Sequence, residues 1–115
     1  MRTILINVIF CFTYNFVLGQ KKDTINSTQY IRVRDSVFYN SLPYSGVAKK
    51  FDKVGKLIGI EIYQNGVANG SWIEWYSTGE KKFEGQFQNG KPFGNWTEWY
   101  IDGKIKLSIN MQIGE

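Results

Sequence analysis

The sequence predicts an all-β fold of successive β-hairpins, and three observations carry that prediction. A phrase running from Gly70 to Gly90 returns from Gly94 to Gly114, displaced by 24 residues. The identical positions are Gly70/Gly94, Trp72/Trp96, Glu74/Glu98, Trp75/Trp99, Tyr76/Tyr100, Gly79/Gly103, Lys82/Lys106, Gln88/Gln112 and Gly90/Gly114. Self-similarity at a fixed period speaks to architecture before any local signal does. Aromatic and β-branched runs between glycine turns are the second observation, since such runs are strands and hairpins. The third is negative: no stretch keeps a 3.6-residue period long enough for a helix.

Taken in order, the chain begins with a segment unlike the rest. Arg2 precedes an apolar run from Ile4 to Leu18 that ends in Val17-Leu18-Gly19. A positive start, a short apolar centre and small residues at its close predict a secretory signal peptide over 1–19, cut after Gly19. The run is interrupted by Asn7, Thr13 and Asn15 and falls short of the roughly 20 apolar residues that a spanning helix needs. Residues 20–29 are polar without a period and are expected to form a flexible leader. Residues 30–45 are expected as capping strands, with Ile31, Val33, Val37, Phe38 and Tyr39 grouped around Asp35-Ser36.

The repeats occupy 46–115 as three units, 46–69, 70–93 and 94–115. The first keeps Gly46, Gly55, Gln64, Asn65 and Gly66 of the phrase but places Ala48 and Phe51 where the others have tryptophan. Gly55, Gly79 and Gly103 divide each unit into two strands, and Asn65-Gly66 and Asn89-Gly90 join one unit to the next. A three-residue loop such as Ser77-Thr78-Gly79, with the glycine left-handed, places odd-numbered residues of both strands on one face. That expected core face holds Ile73, Trp75, Phe83, Gly85 and Phe87, then Trp99, Ile101, Ile105, Leu107, Ile109 and Met111. A loop one residue shorter would set Glu74 beside Phe83 and Glu98 beside Leu107, putting carboxylates toward a core. The opposite face carries Trp72, Glu74, Tyr76 and Lys82, then Trp96, Glu98, Tyr100 and Lys106, and in the first unit Ile58, Ile60 and Ile62. The Ile31–Phe38 segment is expected to cover those isoleucines. Trp72 and Trp96 stand about 10 Å apart on this reading, so another side chain or a ligand fills the space between them.

The pattern G-x-W-x-E-W-Y-x-x-G, followed by E-K-K-F-E-G-Q-F-Q-N-G, resembles the MORN repeat in its bacterial exported variant, including proteins described as YwqK-like antitoxins. The resemblance covers Gly46 to Gly114 and is closest in the two later units. It implies an elongated, single-layer, twisted antiparallel sheet of hairpins that contacts proteins or lipids, and it brings no catalytic residues. Ile109 and Ile113 depart from the pattern, standing where the middle unit has Gly and Asn.

Composition narrows the chemistry further. A net charge of +4 comes from basic residues spread along the chain, which excludes the basic stripe of a nucleic-acid face. There is no histidine, and the single cysteine, Cys11, falls inside the expected signal peptide, so no thiolate or imidazole chemistry and no metal or cofactor is expected. Glu74 and Glu98 are matched carboxylates, but their expected spacing of about 10 Å lies beyond that of glycosidase pairs, and cross-strand pairing of Glu74 with Lys50 accounts better for it. Three sequon matches, at Asn26, Asn69 and Asn95, are chance matches in a chain rich in Asn and Ser.

The expected function is therefore a non-enzymatic exported module for protein binding or scaffolding, in the periplasm or at the cell surface. Trp72, Tyr76, Trp96 and Tyr100 are its expected binding residues, because aromatics on an open sheet face anchor partners or stack on sugars. An antitoxin or immunity protein is the alternative class, and lipid or glycan binding a further one. The last strand has no successor before Glu115, which also leaves edge-strand self-association open.

Overall fold

The computed structural model describes residues 23–112. The expected signal peptide and Gly114-Glu115 lie outside them. The described residues are all β, without a helix, in ten strands: β1 Thr24–Asn26, β2 Ile31–Val33, β3 Ser36–Tyr39, β4 Leu42–Pro43, β5 Gly46–Phe51, β6 Leu57–Gln64, β7 Val67–Trp75, β8 Lys81–Gln88, β9 Lys91–Trp99 and β10 Ile105–Met111. Seven form one mixed sheet in the order β1-β5-β6-β7-β8-β9-β10, and β2-β3-β4 form a second. From β5 onward each strand pairs antiparallel with the next.

Local chemistry accounts for these connections. Asn65-Gly66 and Asn89-Gly90 are two-residue turns with both φ angles positive, at 50° and 85° and at 49° and 80°. That backbone matches the twist of the flanking strands, and Asn and Gly adopt it most cheaply. In the other hairpins the Gly79 amide donates to the Tyr76 carbonyl and the Tyr76 amide to that of Glu80, with Gly79 at φ 98°. Gly55 and Gly103 close equivalent three-residue loops.

Just beyond each of these loops the register departs from the expected one. Trp75 pairs with Lys81, as the turn dictates, but Glu74 pairs with Phe83, so Lys82 has no partner of its own. The same step leaves Ile58 unpaired between Phe51↔Leu57 and Lys50↔Gly59, and Lys106 between Ile105↔Trp99 and Leu107↔Glu98. An extra residue on one strand is a β-bulge, and it moves every later side chain to the other face. The turn itself therefore has the expected form while the expected odd-numbered face does not exist. Trp72, Glu74, Phe83, Gly85, Phe87, Trp96 and Glu98 share one side, joined by Leu107 and Ile109. Trp75 and Trp99 occupy the other side, with Ile105 opposite Trp99.

Two further expectations are corrected near the N-terminus. Within the supposed leader, β1 pairs parallel with β5, and Ile25 is buried. The capping strands do not cover Ile60 and Ile62. Val37 and Tyr44 pack on Ala48 and Tyr63, which alternate with those isoleucines and lie on the Trp72 side. These residues with Ile25 are the fully enclosed core, flanked by Tyr30, Tyr39 and Ala68. Tyr44 anchors it by donating its hydroxyl to the Val47 carbonyl at 3.0 Å. Polar closure comes from Glu61, which accepts from the hydroxyls of Tyr63 and Tyr30 and sits 3.7 Å from Arg32. Arg32 also donates to the Tyr63 hydroxyl at 2.8 Å, tying β2 to β6.

Candidate functional site: an aromatic trough on the open sheet face

Beyond the cap the same face is uncovered, and there four rings meet. Trp72 lies 5.1 Å from Phe87 and 6.5 Å from Phe83, and Trp96 lies 5.0 Å and 5.1 Å from the same two, centroid to centroid. Three of the four contacts are edge-to-face, an arrangement that ring quadrupoles favour. The two phenylalanines thus fill the gap between the tryptophans, as the strand spacing required. The rings line an open trough of about 360 Å³, whose lining also includes Glu74, Lys82 and Glu98.

Backbone choices hold the rings in place. Trp96 lies directly on Gly85, where an added Cβ would stand 2.8 Å from the indole. Only a glycine lets the ring settle on the strand. The Trp96 indole nitrogen donates to the Gln86 carbonyl at 3.1 Å, and that of Trp72 to Glu74 at 3.2 Å. Glu98 accepts from Lys106 at 2.8 Å, and this hydrogen bond raises the lysine above its ordinary pKa. Both carboxylates that the sequence argument kept away from apolar neighbours are therefore at the rim with partners. Glu74 takes its hydrogen bond from Trp72 and not from Lys50.

Of the four expected binding residues, Trp72 and Trp96 line the trough. Tyr76 is half-buried, donates its hydroxyl to the Trp99 carbonyl at 2.8 Å and has the Lys82 ammonium 5.8 Å from its ring centre. Tyr100 is 51% exposed and lies outside the trough. Sequence reasoning missed Phe83 and Phe87, which it had assigned to the opposite side. The available signal was Lys82 and Lys106, a lysine kept at the bulge position of two hairpins that otherwise pair regularly within themselves.

The reverse side of the sheet offers a contrasting, polar depression lined by Ser71, Glu84, Gln86, Asn95 and Thr97. Lys81 bridges to Glu84 there at 3.1 Å and stands 5.6 Å from the Trp99 ring centre. No family model, curated protein or solved structure matches the chain.

Proposed function

We propose that the chain is a non-enzymatic binding module, built of three MORN-type hairpin units, which holds an apolar segment of a partner protein in the aromatic trough. The observation that carries this reading is the trough itself: an apolar centre of four half-buried rings inside a rim of carboxylates and lysine. That is the anatomy of a protein interface, where aromatic anchors are surrounded by polar groups that exclude water. Supporting the repeat reading, the turn glycines Gly55, Gly79 and Gly103 and the bulge residues Ile58, Lys82 and Lys106 each recur at the interval of the repeated phrase. A single-layer sheet of such hairpins leaves its face open for binding. Export rests on the apolar start of the sequence and completes the proposal.

The experiment is capture of partners from an envelope extract by the immobilised chain, with bound proteins identified by mass spectrometry. Trp72→Ser with Trp96→Ser should remove the proteins that the parent chain captures, whereas Tyr100→Ser should retain them. Circular dichroism should show both variants folded. Equal capture by the double variant would remove the trough from the reading.

A further inference from the structure

Among the described residues β10 pairs with β9 alone, so one side of its backbone carries a row of amides and carbonyls without strand partners. Such a row is satisfied by another strand, and native sheets usually guard it with charge, proline or a shortened edge. At the opposite edge β1 has three residues. The seven residues of β10 have neither proline nor any charge after Lys106, and the Lys106 ammonium is drawn back over the sheet to Glu98. Ile105, Leu107 and Ile109 are 61%, 49% and 39% exposed along it.

We propose that β10 pairs antiparallel with β10 of a second copy of this chain, about a two-fold axis through Ser108. This register overlaps all seven residues of the strand. Along the regular stretch beyond the bulge it sets Leu107 against Ile109, with Ser108 meeting its own counterpart, and it brings Lys106 to Asn110. No like charges face each other, whereas a slip that centred the axis on Lys106 would oppose two lysines. An isologous pairing of this kind closes after two subunits and uses up the open edge. Because the axis is normal to the sheet, both troughs stay on the same side. Leu107 and Ile109, which pair with Glu98 and Trp96, join the two aromatic faces into one apolar band. The proposal is independent of what the trough binds.

Sedimentation of the full chain tests it. The parent should show a concentration-dependent dimer. Leu107→Lys with Ile109→Lys sets lysines opposite one another and should weaken association by at least about tenfold, as should Leu107→Glu with Ile109→Glu. An equimolar mixture of the two variants should restore the dimer, because lysine then meets glutamate. Ser108→Cys in a Cys11→Ser background supplies a second measurement, and should oxidise to a linked dimer while Lys53→Cys in the same background stays monomeric. A parent that is monomeric at every concentration, a lysine variant that dimerises like the parent, a mixture that fails to associate, or equal crosslinking of the two cysteines would each overturn the proposal.

Discussion

One face of the large sheet leads two different lives. At the β5–β6 end it lies beneath the three-stranded cap, where Ile25, Val37, Tyr44, Ala48 and Tyr63 are nearly closed to solvent. At the β7–β10 end no second layer covers it among the described residues, and Trp72, Phe83, Phe87 and Trp96 remain half-buried. Both ends have antiparallel hairpins closed by left-handed glycines, although the capped end carries Ala48 and Phe51 where the open end carries tryptophan. The difference teaches that hairpins alone do not enclose a core in this chain. The cap supplies the enclosed volume, and the uncapped end keeps its rings partly exposed.

Truncation in the core should separate the two ends most sharply. Tyr44→Ala removes the largest fully buried side chain and its hydrogen bond to Val47, and should cost about 3–5 kcal/mol in urea unfolding, comparable to other buried aromatic deletions. Tryptophan fluorescence from the trough should follow the same transition if the cap supports the whole sheet. Two separate transitions would show that the open end stands by itself.

The next effect falls on the polar tie between cap and sheet. Glu61→Gln keeps the shape but removes the charge that Tyr30, Tyr63 and Arg32 share, and should cost about 1.5–3 kcal/mol on denaturation. An unchanged midpoint would mean that the apolar contacts alone hold the cap.

At the open end, Gly85→Ala should displace the Trp96 ring and cost about 1–3 kcal/mol, with a red shift in tryptophan emission. The cap should be undisturbed, so amide exchange at Val37 and Tyr44 should match the parent at the same depth of protection. Emission like the parent's would argue that the ring tolerates a Cβ beneath it.

The mildest test leaves the sequence alone. Burial pushes the Tyr44 hydroxyl up to about 12, and burial together with Glu61 raises that of Tyr63. Both groups hold their protons more tightly when folded. The stability they contribute is complete below the ordinary tyrosine value of about 10 and is lost as pH rises through the folded values. Unfolding monitored by urea midpoint should therefore be level through neutral pH and fall above about pH 10, first at the capped end.

Strands and turns were legible because their causes are local. Asn-Gly turns and the left-handed glycines are stated by adjacent residues, and the aromatic runs between them have little else to become. The side of the sheet was not legible from the loops, since the register change depends on a single unpaired residue, and a lysine kept at 82 and 106 reads equally as an ordinary polar-face position. The same oversight at Ile58 misplaced Ile60 and Ile62, and at Lys106 it merged two faces of β10 into one. Strand β1 was missed for another reason. Thr24-Ile25-Asn26 has no pattern of its own, and only the parallel pairing with β5 buries Ile25. In the site, the spacing of Trp72 and Trp96 correctly demanded a filler, but naming Phe83 and Phe87 needed the bulge.

The unpaired residue at 82 has a consequence for how this surface can change. Because it works as a one-step phase shift, the identity of the aromatic side depends on whether this position is skipped in the pairing more than on which residue fills it. Many substitutions at Lys82 would leave the rings where they are. Pairing straight through Lys82 would set it opposite Glu74, turn Phe83 and Phe87 to the far side of the sheet and part them from Trp72, without altering a letter of the sequence.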